Sequence, residues 1–187
     1  MQFSVVELLM AQLSQDVVTS EILLQDSIDS LERFYLYNKV GHSWEIHDRG
    51  ATVRFKYGFR NPLMDSIENY LSTKPQVDPQ VAVFFQIYLT AKYPEQASFF
   101  DELLRLLHLH HDNINKEDLR SIYLATINTS IRYMRIQLKK YTVITLNLYV
   151  EGIKTKALFE KGILSPWTYS NAIKLGIRLK RYVWARE

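Results

Sequence analysis

The chain has no cysteine, which excludes disulfides, thiolate metal ligands and thiol nucleophiles. Glycine and proline are scarce, six and five in 187 residues. Turn-dense all-β folds need more of both, so a strand-rich architecture is disfavoured. No window holds the roughly 18 consecutive apolar residues that a bilayer-spanning helix requires. The opening stretch, Met1-Gln2-Phe3-Ser4-Val5-Val6-Glu7, has no basic residue ahead of its short apolar run and does not read as a secretory signal. The expectation is a cytoplasmic protein without membrane contact. The chain also lacks a phosphate-binding Walker loop, a His-Glu-x-x-His pair, a Gly-x-Ser-x-Gly elbow and a glycine-rich dinucleotide turn.

What is present is apolar content and helical rhythm. Apolar residues make up 47% of the chain, enough for a sizeable core and too many for general disorder. The net charge of +3 conceals an asymmetry. Residues 1–115 carry 9 basic and 15 acidic side chains, whereas residues 116–187 carry 14 basic and 5 acidic. The plain reading is mutual attraction between the two ends, or between neighbouring copies. The sharper one is an anionic partner at the C-terminal end.

Apolar residues recur at helical spacing along most of the chain. Val5, Leu8, Leu9, Leu13 and Val17 form a first stripe over residues 4–18. Thr19 or Ser20 is placed to cap a helix reaching about Asp48, with Leu24, Ile28, Leu31, Tyr35, Tyr37, Val40 and Trp44 on its apolar positions. Asp29 with Arg33 and Glu45 with Arg49 have ion-pair spacing on that helix, and Gly41 is a candidate kink. Val53, Phe55, Tyr57 and Phe59 alternate with period two, but a lone strand has no partner, so an extended connector is expected there. Further helices are expected from Pro62 to Leu71, Pro79 to about Lys92 as a buried helix with Asp78 as its cap, Pro94 to about His111, 116 to 136 with Asn115 as its cap, 140 to 160, and from Ser165 onward. Short loops between them imply antiparallel pairs, 78–92 with 94–111 and 116–136 with 140–160. The helix from Ser165 begins a third pair, with Trp167 and Tyr169 among the residues expected to face neighbours and Arg181 to Ala185 as the start of its partner. Helical pairs are expected to continue past Glu187.

Three stretches make the chain resemble tetratricopeptide-like helical-repeat proteins, and in particular a large, functionally uncharacterised bacterial family of that build. They are Leu31-Glu32-Arg33-Phe34-Tyr35, Asp118-Leu119-Arg120-Ser121-Ile122-Tyr123 and Leu164-Ser165-Pro166-Trp167-Thr168-Tyr169-Ser170-Asn171. The Leu-Gly pair of the tetratricopeptide pattern stands at Leu175-Gly176, but the expected Trp before it is Ala172 and the expected Tyr after it is Leu179. The resemblance implies an all-α fold of antiparallel helix pairs stacked as a short right-handed α-solenoid, used as a binding scaffold with no catalytic residues. An N-terminal helical segment, 1–75, is expected to lead into the paired array, 76–187.

Candidate chemistry is sparse. His108, His111 and Asp112 fall at i, i+3 and i+4 and could present metal ligands, although histidines at a helix C-terminus are equally well placed against its dipole. His47-Asp48 and His111-Asp112 are His-Asp dipeptides of the kind used by metal phosphohydrolases, but the further His and Asp of such a site are not suitably spaced. Two basic ridges are more promising. Lys174, Arg178 and Arg181 follow Asn171 at helical spacing, and Arg132, Arg135 and Lys139 follow Asn128. Either ridge could hold carboxylates of an acidic or extended peptide, or phosphates of nucleic acid, and either could simply be a solvated helix face. The expected function is therefore a non-catalytic, cofactor-free scaffold for protein–protein interaction. Nucleic-acid binding through the basic half is the alternative, and metal-dependent phosphohydrolysis a weaker one.

Overall fold

A computed structural model of the chain describes residues 17–52, 58–74 and 77–186. Most of these residues are helical, and the only sheet among them is a two-stranded hairpin. The all-α expectation holds at that level. The expected stripe before Val17 and most of the alternating stretch, residues 53–57, lie outside the described residues. By contact the chain divides into two compact units, 1–88 and 89–187.

The first unit is organised on one long helix, α1 (Val17–Thr52). It runs through Thr19 and Ser20, so neither is its cap. Leu36, Val40 and Ser43 form one buried face, Ser27 is buried nearer the start of the helix, and α2 (Met64–Thr73) packs against α1, burying Met64, Ile67 and Leu71. Pro62 sits in the turn before α2 rather than in its first turn, and Leu63 takes the left-handed conformation at the cap position. Ser43 ties the join. Its hydroxyl donates to the Lys39 carbonyl at 2.6 Å, lies 3.0 Å from the Met64 sulfur, and accepts from the Asn61 amide at 2.9 Å. Glu45 pairs with Arg49 as its spacing predicts, at 3.8 Å. Arg33 instead reaches across to Asp78 at 3.7 Å, while Asp29 accepts from Gln25 at 2.8 Å.

Helix α3 (Pro79–Lys92) starts where Asp78 caps it, accepting from the Gln80 and Val81 backbone N–H groups. The sequence predicts a buried helix here, carrying Val81, Phe84, Phe85, Tyr88 and Leu89, and every residue from Val83 to Thr90 is indeed buried. A helix apolar on all sides must be covered on all sides. Within the first unit, Phe84 meets Tyr37 edge-on, and Tyr88 meets the His47 ring and donates to Glu68 at 2.9 Å.

The second unit contains α4 (Ala97–His110), a 3-10 turn (His111–Asn113), α5 (Lys116–Tyr133), α6 (Leu138–Lys154), strands β1 (Phe159–Glu160) and β2 (Ile163–Leu164), α7 (Pro166–Arg178) and α8 (Tyr182–Arg186). Asn115 caps α5 through a 2.9 Å bond from the Asp118 N–H. Helices α5 and α6 form an antiparallel pair. Ser130 meets Thr145 at 2.7 Å, and Tyr123 lies against Gly152, so one position rises along the chain as the other falls. Thr145 gives its own proton to the Tyr141 carbonyl, which leaves Ser130 as the donor between helices. At the closed end of the pair Phe100 is enclosed by Tyr133 and Tyr141, whose rings stack with centroids 5.1 Å apart.

The sequence predicts that helix α6 reaches about residue 160, but it stops at Lys154. Lys156 adopts positive φ, and the chain doubles back so that the Leu158 N–H donates to the Gly152 carbonyl at 3.0 Å. The β1–β2 hairpin follows, turning at Lys161-Gly162, where both residues have positive φ. It delivers the chain to α7, which packs on α6, and α8 then packs on α7.

Burial raises the hydroxyl pKa of Tyr123, Tyr133 and Tyr149, with the Glu151 charge adding to the effect at Tyr123. Unfolded tyrosines lose their protons near pH 10, while these stay protonated, so the native state holds more protons above that pH. The contribution of these tyrosines to stability should thus be constant up to about pH 9 and be lost as pH rises above about 10. Denaturant titrations across that range check it, with the last phenolate absorbance appearing only as the second unit unfolds.

Candidate functional site

Helix α7 is short and two-faced. Ser165 stands at its N-cap position and Pro166 at its first turn, where a missing N–H costs nothing. The Ser165 side chain makes no capping bond, and the helix is opened instead by its carbonyl, which accepts from the Tyr169 N–H at 3.0 Å. Thr168, Ala172 and Gly176 form the buried face. Small residues there let neighbours approach closely. A Cβ on Gly176 would stand 2.8 Å from the Trp184 ring of α8.

The opposite face carries Trp167, Asn171, Lys174 and Arg178, all exposed. These residues are spaced four, three and four apart and so form one stripe. Trp167 is 78% exposed, against the expectation that it packs on a neighbour, and Tyr169 is exposed as well. The reason is the burial phase of α7: residues 168, 172 and 176 face inward, which turns 167 and 171 out. Sequence reasoning missed Trp167 as a surface residue because a tryptophan at a helix start reads as core.

Arg181 is exposed in the turn after α7. Its N–H donates to the Gly176 carbonyl at 2.8 Å, and the Lys180 N–H donates to the Ile177 carbonyl at 2.9 Å. This is the Schellman pattern, with Lys180 at φ 59 in the position that favours glycine. A lysine there carries left-handed strain but sets its charge at the negative end of the helix. Lys180→Gly should stabilise the second unit by ~0.5–1 kcal/mol, the relieved strain less the added chain entropy. Thermal melts of the two proteins check this.

The second predicted ridge is not a single helix face. Helix α5 ends at Tyr133, so Arg135 lies in the turn and Lys139 in the first turn of α6. Both are exposed, whereas Arg132 is half-buried and donates to Thr129 at 3.0 Å. Helical spacing therefore links Arg132 to Asn128 but does not carry on to Arg135 and Lys139.

The histidine cluster is also divided. His108 is on α4, while His111 and Asp112 are in the 3-10 turn with His111 Nδ1 3.1 Å from Asp112 Oδ1. Among the described residues no three His, Asp or Glu side chains converge as metal ligands. The other dipeptide, His47-Asp48, lies in α1 with its imidazole against Tyr88.

The first unit has a cleft of about 260 Å³ between α1 and the ends of α2 and α3. Its floor is Leu36, Leu71 and Val81, and its rim is charged. The charges answer one another. Lys74 contacts Glu32 at 3.4 Å, Tyr70 donates to Glu32, and Lys74 donates to Tyr70. Those bonds, the Tyr70 hydroxyl first, hold the Lys74 ammonium above its ordinary range. With Arg33 on Asp78, the rim is internally matched rather than poised for one sign of ligand.

No protein family, no curated protein and no solved structure matches the chain.

Proposed function

We propose that the chain is a non-catalytic helical interaction module that binds an acidic protein segment along the outward face of α7. We read its second unit as helix pairs stacked in the manner of a tetratricopeptide-like α-solenoid. What supports that reading is the order of packing, α5 on α6, α6 on α7 and α7 on α8, each helix resting on the next.

The single observation that carries the function is the exposed stripe Trp167, Asn171, Lys174 and Arg178. A tryptophan and an arginine on one open face are the residue types that dominate binding energy at interfaces. Lys174 and Arg178 suit carboxylates, Arg178 through a two-pronged contact. Nothing between Ser165 and Arg186 is acidic, so the face has no competing carboxylate of its own.

The test is fluorescence anisotropy with two labelled probes, an acidic peptide carrying leucine and tyrosine anchors and a single-stranded oligonucleotide. The peptide should bind, and Lys174→Glu with Arg178→Glu should weaken it at least about tenfold, as expected for losing two charge-assisted contacts. Equal binding to wild type and variant overturns the proposal. Tighter binding of the oligonucleotide, falling steeply with salt, turns the reading to nucleic acid.

A further inference from the structure

A second open stripe lies in the first unit. Leu24, Ile28, Leu31 and Tyr35 on α1 are 50%, 50%, 61% and 44% exposed. Their spacing is four, three and four, the same as Trp167, Asn171, Lys174 and Arg178 on α7. Both stripes therefore run the same length, roughly 16 Å at 1.5 Å per residue. A 4-3-4 stripe is the seam a helix offers to another helix.

The chemistry of the two stripes decides what covers the first. Between Ser20 and Glu32 the chain carries Glu21, Asp26, Asp29 and Glu32 and no lysine or arginine. Pairing this seam with its own copy sets acidic stretches against each other, which opposes association. From Ser165 to Arg186 the chain carries Lys174, Arg178, Lys180, Arg181 and Arg186 and no carboxylate. Self-pairing there fails for the same reason. Each surface is instead complementary to the other. The α1 stripe offers apolar side chains in an acidic stretch, and the α7 stripe offers an indole and long basic side chains whose stems cover apolar surface while their heads reach carboxylates.

We infer that the acidic partner of the α7 face, on the reading proposed above, is a second copy of this chain, which lays the Leu24–Tyr35 seam of its α1 along Trp167–Arg178. An antiparallel arrangement brings Arg178 beside Leu24 and Glu21 of the other copy, and Trp167 beside its Tyr35. The contact is heterologous, because two different surfaces meet. In a pair, one copy therefore keeps its α1 seam free and the other its α7 face, and each can take a further copy. Association is steered by charge and weakens as salt rises.

Sedimentation velocity on the full chain tests this, as a concentration series at low and high salt. Two variants block one surface each: Lys174→Glu/Arg178→Glu on α7 and Ile28→Lys/Leu31→Lys on α1. The altered residues are all exposed, and circular dichroism checks that each variant is folded. The wild type should grow in mass with concentration at low salt, and each variant alone should stay monomeric. An equimolar mixture of the two variants should double in mass and grow no further, because only one complementary pair of surfaces remains. A monomeric wild type overturns the inference, as does a seam variant that associates like the wild type or a mixture that stays monomeric. If the wild type is monomeric yet still binds the acidic peptide through α7, this inference fails alone. If it neither associates nor binds the peptide, the proposed function falls with it.

Discussion

Phe100→Ala should destabilise the second unit by about 3–5 kcal/mol, the range for emptying a large aromatic site in a packed core. Phe100 has no exposed surface. Its ring lies 5.3 Å from that of Tyr133 and 5.9 Å from that of Tyr141, so it joins α4 to both helices of the α5–α6 pair at their closed end. The lost area is only part of the cost. Tyr133 and Tyr141 stack on each other and cannot both move into the vacancy without giving up that stack. Phe100→Leu keeps much of the volume and should cost clearly less. Urea unfolding followed by circular dichroism gives both values. An alanine variant that loses under about 1 kcal/mol would mean that α4 is not held here.

Gly152→Val should cost about 2–3 kcal/mol, the upper part of the range for overpacking. A Cβ at position 152 would lie 2.7 Å from two carbons of the Leu158 side chain and 3.1 Å from the Tyr123 ring. Leu158 cannot swing away freely, because it is buried and its own N–H is bonded to the Gly152 carbonyl. Gly152→Ala meets the same contacts but gains about 1 kcal/mol of helix propensity, so its net loss should be smaller. Leu158→Ala opens the space. Adding it to either variant should cost less than adding it to the wild type, and a double-mutant cycle measures that coupling. Strictly additive losses would show that Gly152 and Leu158 do not compete for the same volume.

These two sites differ in how far they could be read from the chain. Phe100 belongs to a run with Phe99, Leu103, Leu104, Leu106 and Leu107, and its burial follows from helical rhythm alone. Gly152 stands inside an apolar helix, where a glycine reads only as a weakness. Its purpose becomes visible once α6 is seen to end at Lys154 and Leu158 to fold back over it. Nothing local in Gly-Ile-Lys-Thr-Lys announces that return. It depends on Lys156 accepting positive φ, which tertiary contacts impose against its preference.

The candidate site divides in the same way. The sequence placed Lys174 and Arg178 on one outward ridge, because a charged pair four apart on a helix otherwise walled by apolar residues must face solvent. It could not place Trp167 beside them. Trp167 and Tyr169 look alike as core residues, and only the inward phase of Thr168, Ala172 and Gly176 shows that both are exposed. Nor could it show that Arg132, Arg135 and Lys139 are separated by the end of α5, since helical spacing continues across a turn that sequence does not mark.

By itself, then, the sequence determined helix content, most buried positions in α3 to α6, the caps at Asp78 and Asn115, and a basic C-terminal part. These follow from period, composition and short-range hydrogen bonding, which act within a few residues. Tertiary structure alone decided which apolar residues stay uncovered. Leu24, Ile28, Leu31 and Tyr35 have the rhythm of a core stripe, yet α2 packs on α1 where Leu36, Val40 and Ser43 are buried, α3 meets α1 at Tyr37 and His47, and that stripe is left open. Periodicity says that a face is apolar. Which face is covered depends on where the next helices return, and that is set by contacts distant in the chain.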